Sequence, residues 1–187
     1  MKRRNYIVIF SCMIVIMAIL SLNNISSPNP IHKVSYFSFI DQHDNIFTTN
    51  DLKNKITISD FFFTSCPVIC PRMSEKMKEL AEIYKNEKNI QFLSISVDPK
   101  NDSKEVINNY ISTRKLNYSN WYFLQTDSSI SSLLPEGFLL SGENLPGMHP
   151  TKFILINYEG EIVGYYDPFI ESEFNILKNN TTHLLNS

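Results

Sequence analysis

With 187 residues, 43% of them apolar or aromatic, and a formal net charge of −2, the chain is long enough to bury one real hydrophobic core. The near-neutral balance excludes the strongly basic surface that a nucleic-acid binder carries, and no internal repeat or low-complexity tract is visible.

The chain opens with Lys2, Arg3 and Arg4, followed by an uncharged apolar stretch from Tyr6 to Leu22. That stretch is at the short limit for a spanning helix of about 20 residues, and slightly long for a signal-peptide core. No small-x-small cleavage site follows, so residues 1–22 read as an uncleaved membrane anchor in preference to a removed signal. The basic flank keeps the cytoplasmic side. The expected location is a single-pass inner-membrane protein whose remaining residues face the periplasm or another extracytoplasmic space. Cys12 lies within the apolar run, with too few apolar residues ahead of it, and too large a Phe10, for a lipoprotein signal. Residues 23–33 are polar, carry Pro28 and Pro30, and read as a tether. Residues 34–187 are then the folded domain.

Val34–Ile40 alternates aromatic and polar residues, Asp41–Asn45 is a turn, and Ile46 and Phe47 complete an edge hairpin. Ile56–Phe63 is nearly continuous in β-branched and aromatic residues, which predicts a central strand covered on both faces. A helix starting near Arg72 follows, with Met73, Met77, Leu80, Ala81 and Tyr84 on one face. Ile90–Val97 is the next strand. Ser103 caps a helix running to about Arg114 on Val106, Ile107, Tyr110 and Ile111. Trp121–Leu124 is a short strand, and Ser128–Leu134 a short helix stopped by Pro135. Glu136–Gly147 is a glycine-bearing loop. Lys152–Asn157 and Glu161–Tyr166 form a closing hairpin around Tyr158-Glu159-Gly160, and Glu171–Leu185 is a terminal helix. The order strand–strand–helix–strand–helix–strand–helix–strand–strand–helix predicts an α/β domain of three layers with a central mixed sheet and an added N-terminal hairpin.

Thr64-Ser65-Cys66-Pro67-Val68-Ile69-Cys70-Pro71 joins the central strand to the first helix. A thiol at a helix N-terminus meets unpaired N–H groups and the positive end of the dipole, both of which favour thiolate. Thiolate is the nucleophile, the disulfide former and the soft-metal ligand. Residues i and i+4 share a helix face, so Cys66 and Cys70 can aim at one small site. Pro71 suits a first helical turn, where a missing N–H costs nothing. The pair lies at the carboxyl end of a central strand, where open sheets commonly carry their sites. In an oxidising compartment it could also form a disulfide, although a bridge closing so short a loop constrains little.

The stretch Asp60–Pro71, with Ser96-Val97-Asp98-Pro99 and with His149 shortly before Phe153–Ile156, resembles the signature of the Sco/SenC family in order and separation. The resemblance spans about Ser35 to Tyr166, plus the N-terminal anchor. It implies a thioredoxin-like fold, one bound copper ion with Cys66, Cys70 and His149 as ligands, and a role in assembling the dinuclear copper centre of cytochrome c oxidase. The implied partners are the copper-bearing oxidase subunit, a copper-delivering protein and a thiol reductant. The family also implies a second role, in which Cys66 and Cys70 form a redox pair that reduces the cysteines of that centre or of another partner. Two thiolates and an imidazole suit Cu(I) and tolerate Cu(II), whereas a structural zinc site usually has a fourth protein ligand. A peroxide-reducing site on the same fold is disfavoured, because Thr64 stands two residues before Cys66 where that chemistry has its threonine three before.

The remaining candidates read more plainly. Asp98 is a turn residue at a strand end. His32, His43 and His183 lie in polar segments. Met73 and Met77 belong to the core, and Met148 is adjacent to His149 and so poorly placed to share its ion. Met148-His149-Pro150-Thr151 is placed like the cis-proline segment of thioredoxin-like folds, which leaves both isomers open for the bond before Pro150.

Overall fold

The computed structural model describes Phe10, Met13 and residues 28–187. The expected anchor, Tyr6–Leu22, therefore lies outside the described residues apart from Phe10 and Met13, and Cys12 lies outside them too. Among the described residues no helix is long and apolar enough to cross a membrane. In chain order the elements are β1 (His32–Lys33), β2 (Ser38–Asp41), β3 (Ile46–Thr48), a 3-10 turn (Thr49–Leu52), β4 (Ile56–Phe62), α1 (Ile69–Ile83), β5 (Ile90–Ser96), α2 (Lys104–Arg114), β6 (Trp121–Gln125), α3 (Ile130–Gly137), β7 (Phe153–Ile156), β8 (Glu161–Tyr166) and α4 (Glu171–Leu185).

The eight strands form one mixed sheet in the order β1-β8-β7-β4-β5-β6-β2-β3. β4, β5 and β6 are parallel, as strands joined by crossover helices must be, and the remaining pairings are antiparallel. β4 and β5 are buried along their whole length, which is why β-branched, aliphatic and aromatic residues dominate both. On one face α1, α2 and α4 pack over Ile58, Phe62, Phe92 and Phe123. On the other, α3 and the N-terminal aromatics Phe37, Phe39 and Phe47 pack over Phe61, Leu93 and Ile95. The result is the three-layer thioredoxin-like architecture expected from the sequence, with the β2–β3 hairpin added at one edge.

The expected edge hairpin and central strand before the first helix are joined by one further strand, β1, which pairs with β8 at the far edge of the sheet. The segment between β1 and β2 crosses beneath the sheet, burying Val34 and Phe37. β1 has only two residues, too few to show any periodicity. α3 also departs from expectation: it runs through Pro135 to Gly137. Pro135 gives up its own hydrogen bond, but Leu133, Leu134 and the following Phe138 are buried, and their packing carries the turn onward. Gly142 lies against the Ser131 carbonyl, which Pro135 leaves without an N–H; a Cβ there would fall 2.4 Å from that oxygen.

α2 begins as its sequence suggests, with Ser103 Oγ accepting the Val106 N–H. It ends at Lys115 in the left-handed conformation, φ 57°. α1 starts at Ile69, three residues before the expected Arg72, and Pro71 sits inside its first turn. Val68 at the N-cap offers no side-chain acceptor. The acceptor is supplied from outside the usual cap residues, as the site geometry shows.

Candidate metal centre

β4 delivers the chain to the carboxyl edge of the sheet, where Val97 N–H still pairs with Phe62 O (2.9 Å). Beyond Phe63 the ladder ends. Cys66 N–H turns back to Phe63 O (3.3 Å), and Cys66 is buried just ahead of α1. Cys70, fully buried, is the second residue of α1, and its N–H donates to Cys66 Sγ (3.3 Å). A sulfur thus satisfies one of the helix's orphan donors, in place of the usual Ser, Thr, Asp or Asn oxygen.

His149 arrives from the loop between α3 and β7. Its N–H donates to Pro146 O (3.3 Å), and its ring stands edge-on to Phe63, 5.3 Å between centroids at 83°. Nδ1 lies 3.0 Å from Pro150 O. A carbonyl only accepts, so the Pro150 contact places a proton on Nδ1 and favours the tautomer in which Nε2 is the ligand atom. That Nε2 is 3.3 Å from Cys70 Sγ. The donor atoms of Cys66, Cys70 and His149 all lie within 4.8 Å of one another, and all three residues are buried. Donors held around one ion at about 2.0–2.3 Å stand about 3.5–4 Å apart, so this set fits a single ion with small adjustment.

The electrostatics divide the two thiols. Burial pushes Cys66 up, but hydrogen bonds from the backbone of Cys70, Val68 and Ile69 outweigh it and leave this thiol below its ordinary value. Burial pushes Cys70 far up; a backbone hydrogen bond at Phe63 opposes this, while Cys66 and Asp60 reinforce it. Burial lowers His149, with hydrogen bonds to the backbone of Pro150 and Phe61 acting the other way. The resting site is therefore one activated thiol, one protonated thiol and one neutral imidazole. It can give up a proton to take a soft cation, or attack a disulfide through Cys66.

The other expectations sort cleanly. Asp98 is a turn residue: its carboxylate accepts from Asn101 Nδ2 (2.8 and 3.0 Å), and its carbonyl accepts the N–H of Asn101 and Asp102. Met73 and Met77 are core. Met148 is exposed, with its sulfur 3.7 Å from Asn144 Nδ2. His32 Nε2 is 3.0 Å from Glu136 O, away from the site. The cis bond falls at Leu145–Pro146 and not before Pro150. Two buried carboxyls near the site were not singled out from the sequence. Asp60, on β4, is raised to about 7 by burial, with Ser94 hydrogen-bonding to the carboxyl and Oδ1 left without a partner. Asp102, between β5 and α2, hydrogen-bonds to Thr64 and Ser96. A carboxylate inside an otherwise apolar strand is the signal for Asp60. Asp102 reads as one more residue in a turn.

Residues 26–182 match the SCO1/SenC protein family. A SCO1 protein homolog of Bacillus subtilis is 28% identical over 143 residues, covering 73% of this chain and 74% of that protein. A SCO2-like protein of Rickettsia typhi is 42% identical over 76 residues, covering 40% of this chain and only 37% of that protein. Among solved structures, a SCO1/SenC family lipoprotein of Bacillus anthracis superposes with a TM-score of 0.75 at 31% identity, covering 83% of this chain and 97% of that one. BsSco, a member of the Sco family of cytochrome c oxidase assembly proteins, gives 0.74 at 25%, covering 84% and 96%. Yeast Sco1 with copper bound gives 0.64 at 22%, covering 81% and 90%, a likeness of fold.

Proposed function

The chain belongs to the SCO1/SenC family, and we propose that it binds one copper ion through Cys66, Cys70 and His149 and serves the assembly of the dinuclear copper centre of a cytochrome c oxidase. The observation that carries this reading is the meeting of two sulfurs and an imidazole nitrogen within 4.8 Å. Each residue has a defined part. Cys66 offers thiolate at low cost because the start of α1 stabilises it. Cys70 surrenders its proton on loading, which makes uptake pH-dependent. His149 is locked by the Pro150 carbonyl in the tautomer that exposes Nε2. Copper would supply a soft ion able to change oxidation state, held by three protein donors and so open to transfer. The copper-bound yeast relative and the oxidase-assembly role of BsSco support the choice of ion and of process.

The basic flank and apolar run of residues 1–22 support a membrane anchor, with 23–33 as tether and 34–187 as an outward-facing domain. The B. anthracis relative, a lipoprotein, is likewise a membrane-attached protein by name. A copper donor and a thiol reductant complete the expected partners. Titrating the reduced full chain with Cu(I) tests the reading: one equivalent should bind, and Cys66→Ser should abolish it. Stoichiometric binding that survives loss of both cysteines would overturn it.

A second reading rests on the asymmetry of the thiols. Cys66 is lowered and Cys70 raised, as suits an attacking and a resolving cysteine. Cys66 thiolate would attack a partner disulfide, releasing one partner thiolate and leaving a mixed disulfide. Cys70 would then displace the second partner thiolate, so two electrons pass to the partner as Cys66–Cys70 closes. His149→Ala should spare this activity while weakening copper binding.

A further inference from the structure

The geometry points to Asp102 as a positioning residue for this site: its buried carboxylate holds the strand exit at Thr64 and thereby fixes where Cys66 Sγ stands relative to Cys70 and His149. The inference rests on the proposed function for the identity of the ion, but not for the position of the thiols.

Asp102 is 0% exposed. Its Oδ1 accepts the Thr64 N–H (3.1 Å) and the Thr64 hydroxyl, and its Oδ2 accepts the Ser96 hydroxyl (2.6 Å) and lies 3.3 Å from Thr64 N. A carboxylate has two oxygens and about four lone-pair sites, and here both oxygens are engaged. Thr64 is where this matters. Phe62 is the last residue of β4, so the Thr64 N–H has left the ladder, and a backbone donor without a partner at a half-buried position is costly. Asp102 provides that partner from a residue distant in sequence. The next anchors along the chain are Cys66 N–H to Phe63 O and Cys70 N–H to Cys66 Sγ. The turn carrying Cys66 is therefore pinned at its entry by Asp102 and at its exit by α1.

The pin is itself tied to rigid elements. Ser96, also fully buried, accepts the Asp98 N–H on its hydroxyl (3.1 Å), and its carbonyl accepts from Thr126 Oγ1 (2.9 Å), joining β5 to the end of β6. The Asp102 N–H donates to Asp98 O (2.9 Å), and the next residue, Ser103, caps α2. Placement of the cysteine is thus referred to the middle of the sheet and the start of α2, by side chains that never touch the ion. Partners of this kind typically change metal affinity about 10–100-fold when removed.

The test uses the full chain and three variants, each checked for folding by circular dichroism. Asp102→Ala should lower Cu(I) affinity about 10–100-fold and should broaden or displace the thiolate-to-copper absorption of the Cu(II) form. In a glutathione buffer without metal, it should lower the ratio of Cys66–Cys70 disulfide to dithiol several-fold, because the two sulfurs lose effective concentration. Asp102→Asn keeps one oxygen for Thr64 and should recover most of all three properties. Thr64→Val keeps the backbone bond and should show a smaller loss than Asp102→Ala; it carries the test if that variant does not fold. An Asp102→Ala protein with unchanged spectrum and disulfide ratio overturns the inference, as does a Thr64→Val protein unchanged in both when Asp102→Ala is unfolded. Failure of the unaltered chain to bind copper would sink the proposed function alone, since the glutathione measurement needs no metal.

Discussion

The two arms of the site are built by different physics. The cysteine arm is local in its pairing: Cys66 and Cys70 are four residues apart and one caps the helix that carries the other, with Asp102 anchoring the entry to their turn. The histidine arm is tertiary: His149 comes from a long loop and reaches Cys70 Sγ only because α3 and β7 hold that loop's two ends. The cysteine arm therefore keeps its thiol pairing whatever the loop does, while the histidine arm depends on packing far from the ion. A site with one fixed side and one side mounted on a loop suits an ion that must be accepted and released.

Breaking the fixed side should have the largest effect. Cys70→Ala removes both a sulfur and the capacity to form the Cys66–Cys70 disulfide, and should abolish stoichiometric Cu(I) binding by equilibrium dialysis, with no compensation from His149. Next comes the floor beneath that arm. Asp60 is raised from 3.8 to about 7 by burial, Ser94's hydrogen bond working against it. Between those values the folded chain holds a proton that the unfolded chain has released, so this group's contribution to stability falls as pH rises through the window and is level on either side. Asp60→Asn should flatten that slope and make the protein more stable than its parent above pH 7, by on the order of 2–4 kcal/mol in urea titrations. A parent without the slope would contradict the buried carboxyl.

The mounted side should yield smaller changes. His149→Ala should weaken copper binding by removing one of three ligands, while leaving the Cys66–Cys70 couple in a glutathione buffer close to that of the parent. If both fall together, the arms are not separable. The mildest perturbation is at the loop's base. In Gly142→Ala the new Cβ would sit 2.4 Å from Ser131 O and 3.3 Å from Pro135 Cδ, so the loop must move. A loss of about 1–3 kcal/mol in stability is expected, with a few-fold loss of copper affinity and no change in the disulfide couple.

The same division governs what could be read from the sequence. β4, the apolar face of α1, the hairpins and α4 were legible because each is declared by residues close together: a run rich in β-branched and aromatic residues, a helical period, a Tyr-Glu-Gly turn. The cysteine pair was legible for that reason. His149 was found only through resemblance, since one histidine in a polar loop has no local signature. The start of α1 was misplaced because its cap is a sulfur at 66 and not an oxygen at 68. Pro135 was read as a stop because local rules outvote burial until Leu133, Leu134 and Phe138 are seen to share a core. Asp102 was invisible because its partner, Thr64, lies in another turn. Long-range hydrogen bonds leave no periodicity to count.

The strand pairing of His32 with Ile162, while Ile40 pairs with Gln125, has a consequence for how the molecule comes into being. During synthesis the residues of β1 emerge among the earliest described here, yet their partner on β8 is made near the end. The β1 edge of the sheet must wait until almost the whole chain is outside the ribosome, whereas the β2–β3 edge pairs within itself. The last ladder to close is then the one that fastens β1 to β8.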